Sequence, residues 1–516
     1  SIDGRIAQER NITQSQNYIN SLNYDKSIGG NHHVGVDLIN EIYKYEYDEL
    51  SAQGTGFLEG VEWISGTAKP ENIGGGISEE SMISYLARVK YDYAKKYFIE
   101  VSYRADGSSR FSPEDDRRWG DFYAVGASWL ISNEKFLEDS KYLSTLKLRA
   151  SYGELGNNRG IGYFPYRNGF LAGYTNVDQL GTLPSTPVDP SITWEKTASL
   201  NIGLDLGLFK DRVYFVFDYY DKRSKDLLYR VPSAPSNGYR DILKNAGEIK
   251  NYGYEFGITT KNVRTSNWEW TTSLNFSFDK NEIVQLVQDE FINGSKLWKK
   301  GNSIYDFYIE EWAGVDPADG KAMWYKNVTD ATTGEVTKVT TKKYAEASRY
   351  EFGTALPDVV GGFNNYVRYK SFDINFLFNY SFGGQIYDSQ YAALMSTLSS
   401  PGRQLSTDIS GRWQKPGDIT DIPMLFASNN DFSSRSSRFL YDNDYVRLKS
   451  LNVGYNLPKD WLEQVSLSAF RVYFQGDNLW TWQSHEGLDP EQGFSGTTDN
   501  RSNNLRTYSV GVNVTF

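Results

Sequence analysis

Long stretches of strict period-2 alternation are what most restrict how this chain can fold. From Leu505 to Phe516, Tyr508, Val510, Val512, Val514 and Phe516 fall on one side of an extended chain, and Thr507, Ser509, Gly511, Asn513 and Thr515 on the other. Successive strand side chains point to opposite faces, so the segment has one apolar and one polar face. Leu200, Ile202, Leu204, Leu206 and Leu208 alternate in the same way with Asn201, Gly203, Asp205 and Gly207. So do Ile374, Phe376, Phe378, Tyr380 and Phe382 with Asn375, Leu377, Asn379 and Ser381, and Tyr97, Ile99, Val101 and Tyr103 with Phe98, Glu100, Ser102 and Arg104. A half-buried strand of a water-soluble sandwich alternates too, but its length has a mode of about 5–6 residues. A strand that crosses a membrane needs about 9–11.

The pattern predicts fifteen strands, at 16–24, 34–47, 81–94, 96–104, 120–131, 143–154, 192–207, 210–224, 249–263, 266–279, 361–370, 371–383, 444–457, 465–476 and 505–516. Many of them reach ten residues. The connections are sorted by parity: 94–96, 207–210, 263–266, 370–371 and 458–464 are short, whereas 48–80, 155–191, 280–360, 384–443 and 477–504 are long. Short turns on one side and long loops on the other are the signature of an outer-membrane barrel. The predicted class is therefore all-β, an antiparallel transmembrane β-barrel. If the last strand ends in the periplasm, the first of the fifteen starts at the outer surface. Single-chain bacterial barrels have an even strand number, so the chain is expected to be the C-terminal part of a larger barrel.

Composition narrows the chemistry. With no Cys and only His32, His33 and His485, a disulfide framework, a Cys-ligated zinc site and a thiol nucleophile are excluded. A net charge of −11 lacks the basic footprint that nucleic acid requires. No run of about 18 apolar residues exists to form a membrane helix.

Several segments, in order, resemble the SusC/RagA-type TonB-dependent transporters of the bacterial outer membrane. They begin with Tyr103-Arg-Ala-Asp-Gly-Ser-Ser-Arg-Phe111, Arg118-Trp-Gly-Asp-Phe122 and Trp129-Leu-Ile-Ser-Asn-Glu-Lys-Phe136. Leu146-Lys-Leu-Arg-Ala-Ser-Tyr-Gly153, Gly156-Asn157, Trp194-Glu195-Lys196, Asn201-Ile-Gly-Leu-Asp205, Asp218-Tyr-Tyr-Asp-Lys222 and Asn245-Ala-Gly-Glu-Ile-Lys-Asn251 follow. The last are Tyr445-Val-Arg-Leu-Lys449, Gly476-Asp-Asn-Leu479, Gly487-Leu-Asp-Pro-Glu491 and the terminal Phe516. The resemblance covers residues 81–516; residues 1–80, expected to hold barrel strands and an extracellular loop, match more loosely. It implies a 22-stranded barrel, of which about 15 strands are present, in the outer membrane of a Gram-negative bacterium. The family's signal peptide, N-terminal extension, TonB box and plug have no counterpart in these residues.

Candidate chemistry is sparse. Asp106-Gly-Ser-Ser-Arg110 reads as a turn closed by side-chain hydrogen bonds. Glu195, Lys196, Asp205, Lys147 and Arg149 read as hydrated lumen residues. Asp316-Pro-Ala-Asp-Gly320 and Asp489-Pro-Glu491 are rich in carboxylates but lack the spacing of a calcium loop. The histidines are expected in loops, and the adjacent pair points to opposite sides of an extended chain. Neither a nucleophile elbow nor a P-loop is present. No catalytic residue, metal or cofactor is expected. Trp298, Trp312, Trp324 and Trp413 fall in the long outer loops, where their rings either pack loop against loop or contact a ligand.

The resemblance implies an importer of oligosaccharides or oligopeptides, working with a SusD-like surface lipoprotein and, through the missing N-terminal part, with the TonB complex. Lipid surrounds the barrel. A structural docking barrel in a larger envelope complex, a passive porin and, last, an outer-membrane hydrolase are the alternatives.

Overall fold

The computed structural model describes residues 4–57, 59–176, 179–185, 187–396, 402, 404–425, 431–463, 467–498 and 502–516. Fifteen strands form one antiparallel sheet in chain order. They are β1 (Arg5–Ile28), β2 (His32–Thr55), β3 (Lys69–Tyr93), β4 (Tyr97–Ser108), β5 (Trp119–Leu130), β6 (Leu143–Asn157), β7 (Glu195–Leu208) and β8 (Val213–Lys225). There follow β9 (Glu248–Arg264), β10 (Trp268–Gln285), β11 (Val359–Tyr369), β12 (Phe372–Phe382), β13 (Tyr445–Asn456), β14 (Ala469–Gln483) and β15 (Thr507–Thr515). Every expected strand is found. Among the described residues no helix is long and apolar enough to cross a membrane.

The first three strands depart most from expectation. Residues 48–80 are not one long loop: β2 and β3 stay paired out to Thr55↔Lys69, leaving only 56–68 between them. Gly74-Gly75-Gly76 and the many polar residues here look like a loop by composition, because no face of this stretch is buried in a core. The main-chain ladder holds it instead. Gly75 is required by close approach, since a Cβ there would lie 2.6 Å from the Glu49 carbonyl oxygen. At the opposite end, β1 and β2 continue to a turn over 29–31, where Gly29 and Gly30 take φ of 59° and 77°. His32 and His33 are thus strand residues, not loop residues.

Cross-strand pairs bring like faces together. Tyr93, Tyr97 and Trp129 form one row, Val89, Val101 and Val125 another, and Tyr103 sits opposite Tyr123. These rings and valines are exposed. An exposed valine band flanked by aromatic rows is the surface that a bilayer solvates. The terminal hairpin has the same face, with Val472 opposite Val512 and Phe474 opposite Val510.

The chain divides into two compact units. In residues 1–134, 148–201 and 222–248, a core of Phe111, Phe122, Ile161, Ile192 and Trp194 lies beside the strands. In residues 135–147, 202–221 and 249–516, the long connections carry small sheets of their own. One comprises 290–293, 296–299, 306–310 and 349–354, and another 312–315, 322–329 and 336–341. Two further cores form there, around Phe307, Tyr387 and Phe439, and around Trp324 and Phe432.

Candidate functional site on the polar face and in the outer loops

In the first unit, the polar face of β1–β4 carries charges that are matched across strands. Asp37 accepts from Asn23 at 2.6 Å and pairs with Arg88 at 2.7 Å and Lys90 at 3.3 Å. Arg104 pairs with Asp106 at 2.7 Å and Glu41 at 3.4 Å. His33 lies between two carboxylates, its Nε2 2.6 Å from Asp25 and its Nδ1 3.1 Å from Asp92. A face so polar cannot meet hydrocarbon; it needs water or protein.

The expected turn at Asp106–Arg110 is mostly strand: Asp106, Gly107 and Ser108 end β4, paired with Ser84, Ile83 and Met82, and the chain turns at Ser109 and Arg110. Ser108 Oγ, buried, accepts from the Arg110 amide at 3.2 Å and from Asn158 Nδ2 at 3.0 Å. Arg110 grips both carboxylate oxygens of Glu80 and donates to the Gly162 carbonyl at 2.6 Å. Segments distant in sequence meet here. Phe111 and Phe122 pack against Trp194, whose Nε1 donates to the Arg118 carbonyl at 2.9 Å. Glu195 accepts from the Leu228 amide at 3.2 Å, and Lys196 Nζ lies 5.9 Å from the Phe122 ring centroid. Those two residues tie loops and strands together.

In the second unit, Arg447 on β13 is held by the 484–506 connection. It reaches Asp489 at 2.9 Å and Glu491 at 3.0 Å, and donates to Thr481 Oγ1 at 2.9 Å. Lys449 adds a 2.7 Å contact to Glu491. The side chains of Arg447 and Asp489 are only 5% and 7% exposed, so this is a buried ion pair. Burial pushes the Asp489 carboxyl upward. Hydrogen bonds from the Asn504 amide and Arg447 outweigh it, leaving the pKa below the usual range. A polar cavity of about 460 Å³ opens beside the pair, against Asn478, Gln483 and Asn504. Tyr445–Lys449 and Gly487–Glu491 fall in a predicted strand and a predicted long loop, and opposite charge in the two is the sequence signal that they meet.

The four loop tryptophans are all anchored. Trp324 is 1% exposed, edge-on to Trp312 and Tyr344. Trp413 is buried and donates to the Pro317 carbonyl at 3.0 Å. Trp298 packs on Phe291, and Trp312 is covered on one side by Arg438, 4.8 Å from its ring. Trp298 and Trp312 are half-buried and retain accessible surface. In Asp316–Gly320, Lys342 lies 2.5 Å from Asp316 and 3.1 Å from Asp319, holding the Asp316 carboxyl below its usual range. Among the described residues, no group of His, Cys, Asp or Glu has the arrangement of a metal site. His485 stacks on Tyr441 at 3.7 Å and meets the buried Asp388 at 3.0 Å.

A sheet with an apolar band on one face, aromatic rows flanking it, and charge on the other defines a membrane-spanning β-sheet protein. Residues 3–479 match the family described as TonB dependent receptor-like, beta-barrel. TonB-dependent receptor P3 of Formosa agariphila is 31% identical over 94% of this chain and 51% of that protein. TonB-dependent receptor SusC of Bacteroides thetaiotaomicron is 26% identical over 94% and 50%. A solved structure of the RagAB peptide transporter covers 99% of this chain and 56% of that one, with 27% identity and a TM-score of 0.86. The chain belongs to the TonB-dependent receptor β-barrel family, SusC-like in its relatives, whose members are outer-membrane transporters and receptors, not enzymes. It spans about half the length of the curated relatives it matches.

Proposed function

We propose that the whole protein is an energised importer of oligosaccharides or oligopeptides, that a SusD-like surface lipoprotein closes over its outer loops, and that TonB drives release inward through a plug supplied by the rest of the protein. The likeness to the RagAB peptide transporter over 99% of the chain carries this reading. Strands satisfy their own backbone groups in lipid, so this chain serves as the wall, and its loops as the surface that selects ligand. Of the four candidate tryptophans, Trp298 and Trp312 have surface left for a ligand, while Trp324 and Trp413 support the loops. Uptake in cells with inactivated TonB tests the mechanism: it should stop, and unchanged uptake would overturn it. Intact mass spectrometry of the protein extracted in mild detergent should show a surface lipoprotein bound to it.

A further inference from the structure

Three tyrosines stand in a line on β2. Tyr43, Tyr45 and Tyr47 alternate with Lys44, Glu46 and Asp48. They therefore share the polar face with Asp37 and Glu41, each ring about 6.8 Å from the next by strand geometry. The charged residues between them point to the other face, where Leu38 lies nearer the turn. That change from leucine to charge places this stretch beyond the hydrocarbon, on the side of the long connections. The three rings are half-buried, with surface still accessible.

The register gives each ring a short, uncharged hydrogen-bonding neighbour on β1. Tyr47 pairs with Thr13, Tyr45 with Ser15 and Tyr43 with Asn17. All three of these neighbours are exposed. On β3 the partners are Ser78, Glu80 and Met82. Glu80 is neutralised by the two-oxygen grip of Arg110. The same arginine lies 4.7 Å from the Tyr163 ring, which stacks on Tyr45 with planes 5° apart. The middle ring is thus fixed from behind. The same face carries Glu41, to which Asn17 Nδ2 donates at 3.0 Å, and Glu9 and Glu49 beside Tyr47. A row of aromatic faces beside hydroxyls and carboxylates suits a polyhydroxylated chain without negative charge: sugar rings stack on the phenols, and their hydroxyls bond to Thr13, Ser15, the Asn17 carbonyl oxygen and the carboxylates.

We infer that Tyr43, Tyr45 and Tyr47, with Thr13, Ser15 and Asn17, form a binding track for a neutral oligosaccharide on its way into the barrel. The inference rests on the importer reading and names its substrate class. The test uses the full-length protein with its co-purifying lipoprotein, on an array of neutral gluco-, manno-, galacto- and xylo-oligosaccharides, alongside uncharged octapeptides. At least one oligosaccharide should bind. Combining Tyr43→Ala, Tyr45→Ala and Tyr47→Ala should weaken it about tenfold or more, about 1.4 kcal/mol. The triple change to Phe, which keeps the rings, should stay within about threefold, with normal outer-membrane levels of both variants as the folding control. Binding of peptides alone, no neutral oligosaccharide bound, or equal binding by the Ala variant would overturn the track. TonB-dependent uptake separates the two readings: if it persists while the array is blank, the track falls and the importer stands. If glycan binds through the tyrosines and no uptake depends on TonB, the importer falls and the track stands.

Discussion

Beyond the apolar band, the first three strands and the connections after β10 and β12 add protein by opposite means. β2 and β3 simply continue, 24 and 25 residues long, far past the 9–11 a membrane crossing needs. Their outer halves bury almost nothing: Leu50, Ile73 and Ile77 are 58%, 74% and 67% exposed. The connections 286–358 and 383–444 fold into small sheets with true cores, where Trp324, Phe307 and Phe439 are essentially inaccessible. One region is held by its backbone ladder, the other by side-chain burial. The first should tolerate changed side chains, and the second should melt locally when one anchor is lost while the membrane sheet persists.

The largest effects therefore belong to buried groups in the second unit. Arg447→Ala leaves Asp489 buried without its cation, an unpaired charge that costs about 3–5 kcal/mol. The 484–506 connection should become open to protease, while β13 and β14 keep slow amide exchange. Trp324→Ala should cost about 3–5 kcal/mol as a large-to-small core change. Hydrogen exchange should rise across 312–341 and not across β11 and β12. Collapse of the whole sheet in either variant would break the contrast between ladder and burial.

Legibility in the sequence followed the same line. The strands of the membrane sheet were readable because lipid on one face and water on the other force period-2 alternation, as in Tyr508–Phe516. Residues 48–55 of β2 and 69–80 of β3 were not, because water on both faces removes a sustained alternation and leaves only pairing, which sequence does not display. Nor were the loop sheets, whose strands at 290–293, 296–299 and 312–315 are too short for a period to show. The four tryptophans do lie in the long connections between sheet strands. Their partners (Tyr344 for Trp324, Pro317 for Trp413) come from distant stretches that only folding brings together. The Tyr-x-Tyr-x-Tyr spacing at 43–47 is plain in the sequence, but its flanking Lys44, Glu46 and Asp48 are those of an ordinary polar strand.

A smaller effect comes from Lys296, buried in the loop sheet, where its ammonium donates to the Tyr305 carbonyl at 2.7 Å and lies 3.2 Å from the Phe307 ring centroid. Burial pushes its pKa down to about 7, with the nearby Asp306 opposing in part. Between there and the ordinary lysine range the unfolded loop binds more protons than the folded one. Stability of this sheet should therefore rise with pH across that window, by at most about 1.4 kcal/mol per pH unit, and the gain is absent below it. Amide exchange across 290–310, corrected for intrinsic rates, should slow from pH 7 to pH 9. Lys296→Met should remove the dependence, and a slope that survives the substitution would assign it to another group.

The smallest effect tests the other side of the comparison. Leu50 sits on the outer half of β2, opposite Arg10 on β1 and Gly75 on β3, with more than half its surface open. If the ladder holds this stretch, Leu50→Ser removes little that was buried and leaves every main-chain bond in place. Its cost should stay within about 0.5 kcal/mol, the range of ordinary surface substitutions. Amide exchange at 46–55 and 69–79 should be unchanged. A marked loss of protection there would mean that the exposed apolar row of Leu50, Ile73 and Ile77 is itself covered in the native envelope, and that burial, not pairing, holds the first strands as well.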